Sequence, residues 1–298
     1  MLTGSATFTG EPGARLHVLS PQAGRWTIII TFTNPVNGNA LQTGLSGTVS
    51  FAPIAAAVAG LPNSAGATLA KGTAHTVTVT IRNDGDATES YFLDGRLDSL
   101  ATVPLTSITP STLSLPESDT GTIPQWIVPT DTTSLAASAV SSAPTTFDFA
   151  PWNGEPDTGA TVSGDDASAS ISAAPGASLT QGDWDIVPQQ VGPFGAAGAP
   201  KSTTSLALTA TTLAFDPGLT TSTGDLWEQG TAARAAFAPV LVAPGTTVTL
   251  KATITPTASA GSVVRGVLYL DDSSAVTNDG PSPSGDQLEA IPYEYKVG

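Results

Sequence analysis

Cysteine is absent from the 298-residue chain. Its absence excludes a disulfide scaffold, thiol catalysis and thiolate zinc sites. Positive charge is scarce: 10 Lys and Arg stand against 25 Asp and Glu, a net charge of -15. Few cations are left to displace counterions from phosphates, which argues against nucleic acid as a partner. The same shortage argues against an anionic membrane surface. Aromatic residues make up 6%, and the longest apolar run, 53–60, is mostly Ala. A run that short does not span a bilayer. The opening MLTGSATFTG has neither the basic nor the apolar region of an export signal. For an extracellular protein, that predicts a piece of a longer chain. Charged residues reach only 12% while hydrophobic ones reach 40%, too apolar a balance for a disordered acidic chain. What is abundant is threonine, 44 residues against 4 Lys. The expected surface is therefore built from Thr, Ser, Gly, Ala and small acids.

The strongest pattern is alternation of period two with β-branched residues. Trp26, Ile28, Ile30 and Phe32 share one face, with Thr27, Thr31 and Thr33 on the other. Val77, Val79 and Ile81 alternate with Thr76, Thr78 and Thr80. Val248, Leu250, Ala252 and Ile254 alternate with Thr249, Lys251 and Thr253. Ile291, Tyr293, Tyr295 and Val297 close the chain in the same manner. Such one-sided alternation belongs to antiparallel sheets with one wet face. Turn sequences separate the runs: Asn34-Pro35, Asn83-Asp84-Gly85, Asp216-Pro217-Gly218 and Asn278-Asp279-Gly280. The Ala-rich segment 135–143 has helical propensity, but its Ser and Val and its strand-like neighbours weaken that reading. The fold class expected is all-β, as tandem antiparallel β-sandwich modules of immunoglobulin or fibronectin type III-like form.

Two motif pairs suggest an internal repeat. Residues 12–28 resemble 175–186 around a Gly-x-Trp-x-Ile, aligning Trp26 with Trp184 at an offset of 158. Residues 70–81 resemble 243–254, aligning Gly72 with Gly245 at an offset of 173. The offsets differ by 15, the length of 216–230. That segment is expected to be an inserted surface loop with Asp225 and Glu228 in solvent. The resulting division is a truncated module at 1–54, then modules at 55–122, 123–204 and 205–298. The third is the most acidic, with one Lys and eight acids.

Several constellations could carry chemistry. Asp119-Thr120-Gly121 and Asp157-Thr158-Gly159 are the triplet that aspartic proteases use for a shared-proton dyad. Here both have open, polar flanks and lie 38 residues apart, and turn chemistry accounts for them. A serine triad needs a histidine base and an activated serine. The two histidines, His17 and His75, lie in strand-like runs, and no G-x-S-x-G occurs. No spacing singles out a carboxylate pair for glycosidase work. Asp165-Asp166, Asp271-Asp272 and Asn278-Asp279-Gly280 are oxygen-rich, but none has calcium-loop spacing. Solvated turn carboxylates are the expectation there. Trp26 and Trp184 read as core, while Trp152 and Trp227 lie in loops and are the candidates for an exposed platform; burial is the better reading for both. The residues themselves therefore point to no catalytic, cofactor-binding or metal site, and to no cofactor.

An ordered series of segments carries a family resemblance: 21–38, 72–97, 124–135, 145–149, 190–200, 214–227, 242–256, 266–272 and 287–298. Together they resemble the long C-terminal region of secreted actinobacterial subtilisin-like serine proteases. The first and third modules look similar to pre-peptidase C-terminal domains, the second and fourth to fibronectin type III-like modules. The His-Gly-Thr and Gly-Thr-Ser-Met-Ala stretches of that family's catalytic domain have no counterpart here. The resemblance implies a serine protease for the parent and a non-enzymatic accessory role for this chain. It implies an extracellular location and an upstream protease domain in cis as partner, with protein substrate or cell-wall polymer as further contacts. The rival reading is a cell-surface adhesin or carbohydrate-binding array.

Overall fold

The computed structural model describes residues 53–107, 109–115, 124–151, 164–179, 181–190, 202–227, 236–273 and 285–298. Among them the chain is all-β, with no helix. Trp26, Trp152, His17, both Asp-Thr-Gly triplets, Glu228 and 278–280 lie outside the described residues.

A four-stranded sheet runs in the order β1 (Ile54–Ala59), β3 (His75–Asn83), β13 (Thr247–Ile254), β11 (Leu219–Thr221). Its inner face carries Val77, Val79, Ile81, Leu250, Ala252 and Ile254, all buried. Its outer face carries the alternating threonines, with the Thr80 and Thr249 hydroxyls 3.3 Å apart. The opposing layer is β2 (Asn63–Leu69), β15 (Asp286–Val297), β14 (Val263–Asp272) and β4 (Glu89–Leu105). It contributes Tyr91, Leu93, Leu268, Leu270, Tyr293, Tyr295 and Val297 to the same core. These two layers form one sandwich.

The second sheet does not stop at β4. It continues through β10 (Ser202–Phe215), β7 (Ser134–Pro151), β9 (Gly182–Gln190) and β6 (Gln125–Val128). β5 (Thr112–Leu115) joins β10, β8 (Gly164–Ser172) joins β7, and β12 (Val240–Val242) joins β4. This part encloses a second core around Trp126, Trp184, Ile186, Leu135 and Leu208. Trp126 and Trp184 are direct cross-strand neighbours. The Ala-rich 135–143 segment lies within β7, because pairing with β8 and β10 on either side outweighs its local helical preference.

Strand pairing crosses the expected module boundaries. β3 and β13, taken from sequence as equivalent strands of two modules, are hydrogen-bonded neighbours, with Val79 opposite Leu250. Segments 55–105 and 219–297 thus share one core, and β10 runs across the expected 204/205 boundary. The similar Thr/Val patterns reflect adjacent positions in one sheet, where both strands meet the same apolar layer and the same water.

Candidate functional site

The face of β4 and β14 turned away from the sandwich core is charged. Successive strand residues point to opposite sides. Leu93, Leu268 and Leu270 therefore enter the first core, while Asp94, Arg96, Tyr269 and Asp271 lie on the reverse side. That side is covered by two turns, 129–132 and 222–227. Asp94 and Arg96 are 0% and 1% exposed, and Asp225 and Asp271 are 5% and 1%.

The Arg96 Nε lies 2.7 Å from both Asp94 carboxylate oxygens, and one Nη donates to the Leu213 carbonyl at 3.0 Å. The other Nη has no hydrogen-bond acceptor among the described residues. The guanidinium carbon stacks 3.8 Å from the Phe215 ring centroid and 5.0 Å from that of Trp227, so ring faces take the place of an acceptor. Burial opposes the Arg96 charge, but the nearby carboxylates, Asp94 foremost with Asp225 and Asp271, together outweigh it and hold the guanidinium above its ordinary pKa. Asp225 behaves oppositely. Burial first, then the Asp94 charge, push it well above the usual carboxylate range, and Arg96 does not offset them.

The surrounding contacts fix both turns. Trp227 donates its backbone N–H to Asp225 at 2.8 Å and its indole N–H to the Ile127 carbonyl at 2.9 Å. The Thr223 hydroxyl accepts the Leu93 N–H at 3.1 Å. Tyr269 donates to Asp131 at 2.5 Å, and Asp131 has the only positive φ of a non-glycine residue among those described, 56°. Thr130 donates to Gln287 at 2.9 Å. Asp216 closes the turn from β10 into β11: it accepts the Gly218 N–H at 2.7 Å and the Tyr293 hydroxyl at 2.5 Å. The result is a closed polar joint between two apolar cores.

The chain matches no protein-family model and no curated protein.

The joint overturns two expectations. Segment 216–230 is not a solvated insertion: its described part contains β11, and Asp225 is buried. Asp271-Asp272 is not a solvated turn but the buried end of β14. In both places a polar sequence that reads as a turn is covered by the second core. Trp227 is buried, as its apolar bulk favours, and so is Trp184. His75 lies apart from the joint, at the start of β3, with its Nε2 2.5 Å from the Gly60 carbonyl. Asp94 and Arg96 were not singled out from sequence. Their signal was present in YFLDGRL: two opposite charges spaced by two within an apolar run, and hence on one face of a strand. Within the described residues no group of three or more His, Asp or Glu side chains is arranged to hold a metal.

Proposed function

We propose that this chain is a non-catalytic accessory region of a secreted subtilisin-like serine protease. It places or stabilises the catalytic domain, or contacts protein substrate or the cell surface. One observation supports this most: among the described residues, the cluster of Asp94, Arg96, Asp225 and Asp271 is closed to solvent and spent on joining two cores. Arg96 is consumed by Asp94 and two rings, so the cluster offers rigidity and no access for a substrate. A continuous sheet through both cores suits a spacer that must hold its neighbours at a defined distance. Trp227, a candidate for a sugar platform, donates its indole N–H inward, which leaves the carbohydrate-binding alternative without support from that residue.

The purified chain is expected to hydrolyse neither casein nor peptide substrates and to remain unlabelled by a fluorophosphonate serine probe. Labelling of a single serine that disappears in His75→Ala would overturn the proposal. Heat inactivation of the parent protease, with and without this region, then separates stabilisation from a binding role.

A further inference from the structure

One side of the first sandwich stays open. Among the described strands, β1 pairs with β3 alone. The Asp84 N–H donates to the Pro53 carbonyl at 2.9 Å, which makes these two residues a hydrogen-bonded pair. Such pairs alternate along an antiparallel ladder. Ala55, Ala57 and Ala59 therefore bond to β3, while the N–H and C=O groups of Ile54, Ala56 and Val58 point out from the sheet edge. The same three residues turn their side chains to the core, and these are only half-buried. Val77, Val79 and Ile81 of β3, one strand further in, are fully buried. β2 is the matching edge of the opposing layer. Leu61 just before it, and Ala67 and Leu69 within it, are half-buried against the same core.

Sheet edges are usually blunted by charge, proline or a bulge. β1 has none of these: it reads IAAAVA, and its register with β3 is unbroken. No charged residue occurs between Arg25 and Lys71, although the chain carries a net charge of -15. An unblunted apolar edge is a template for one more strand. Residues 1–52 lie outside the described residues, and they lead straight into this edge through Pro53. Their sequence holds a segment of the right pattern. Trp26, Ile28, Ile30 and Phe32 alternate with Thr27, Ile29, Thr31 and Thr33, as the valines and threonines of β3 alternate between core and solvent.

We propose that the outer edge of β1 is an in-chain docking site: residues 25–33 add to it as a further strand, and Trp26, Ile28, Ile30 and Phe32 cover the open rim of the first core. Residues 34–53 form the connection. At about 3.3 Å per residue they reach roughly 60 Å, against roughly 20 Å for the length of β1, so either strand direction is within reach. The tether gives the segment an effective concentration on the order of mM. A second copy of β1 has no such advantage, and its mostly Ala side chains would cover the rim less well than Trp, Ile and Phe do.

Amide hydrogen exchange on the full chain, read by NMR, tests this. At an open edge Ile54, Ala56 and Val58 would exchange close to the unstructured rate; docking is expected to slow them by at least about a hundredfold. Ile28→Asp combined with Ile30→Asp sets charge against the apolar rim. It is expected to abolish that protection, while Ala55, Ala57 and Ala59 keep theirs through β3. Ile29→Asp, on the opposite face, is expected to leave all six protected. Fast exchange of the three edge amides in wild type would overturn the proposal. So would protection that survives the double substitution, equal loss in Ile29→Asp, or protection that fades on dilution, the mark of a second copy. Disulfide capture decides the matter if the double variant does not fold, since the chain has no cysteine of its own. Ala57→Cys is combined in turn with Thr27→Cys, Ile29→Cys, Thr31→Cys and Thr33→Cys. One combination is expected to close an intramolecular disulfide, because same-face side chains on adjacent strands lie within bonding reach; closure in none of them sinks the docking. Neither result depends on whether the parent is a protease.

Discussion

Arg96 shows how one side chain joins two cores. Its charge meets Asp94, and its flat face meets Phe215 and Trp227. Removing one partner of a buried pair leaves the other charge uncompensated, which costs about 3–5 kcal/mol. Arg96→Met is therefore expected to lower unfolding free energy by about that amount in urea titration. Arg96→Lys should recover little of it, since a compact ammonium neither forks to a carboxylate nor stacks as a guanidinium does. The exposed Arg82–Asp84 pair, 2.9 Å apart, provides the contrast: Arg82→Met is expected to change stability by less than about 1 kcal/mol. Equal effects at the two arginines would show that burial of the joint contributes nothing.

At the scale of elements, β4 and β14 are the central pair, and their contact depends on glycine. A Cβ on Gly266 would overlap the Arg96 carbonyl oxygen and the Tyr293 ring. On Gly95 it would lie 2.6 Å from the Leu219 side chain. Neither position demands a left-handed backbone; what excludes a side chain is space. Overpacking typically costs about 1–3 kcal/mol and more where backbone must move. Gly266→Ala is expected at or above the top of that range, because a backbone carbonyl is in the way. Gly66→Ala, whose added carbon meets only the Ser64 hydroxyl at 3.6 Å, is expected to be neutral within about 0.5 kcal/mol. Thermal or urea unfolding of the two variants checks the ranking, and a neutral Gly266→Ala would contradict the close approach of these strands.

For the molecule as a whole, its four tyrosines report on integrity. Burial is the leading cause that raises all four phenols, Tyr91, Tyr269, Tyr293 and Tyr295, with the last pushed up to about 12. Nearby carboxylates add to it: Asp272 beside Tyr91, Asp131 beside Tyr269 and Asp216 beside Tyr293. A raised folded value means stability that is complete below the unfolded phenol value of about 10 and lost above it. Tyrosinate absorbance is therefore expected to stay flat through pH 10 and to rise only with the loss of circular dichroism at stronger alkali. Phenol ionisation near pH 10 in a chain that keeps its native spectrum would refute the packing of the first core around Tyr91, Tyr293 and Tyr295 and of the joint around Tyr269.

Amino-acid order alone determined the all-β class and the residues that face inward. Val77, Val79, Ile81, Leu250, Ala252 and Ile254 are buried as their alternation requires, since period two puts every second side chain on one face of a strand. Trp184 and Trp227 are covered because a large apolar side chain gains by burial wherever the chain permits it. Tertiary structure decided which strands are neighbours. Period-two alternation is the same whether two strands repeat in separate modules or pair in one sheet, so β3 and β13 could not be told apart from repeats. It also decided the environment of the acids. Asp225 and Asp271 sit in sequences that read as exposed, and only the covering second core removes their water. Whether a carboxylate is a solvated surface charge or a buried group depends on that covering, which local sequence does not encode.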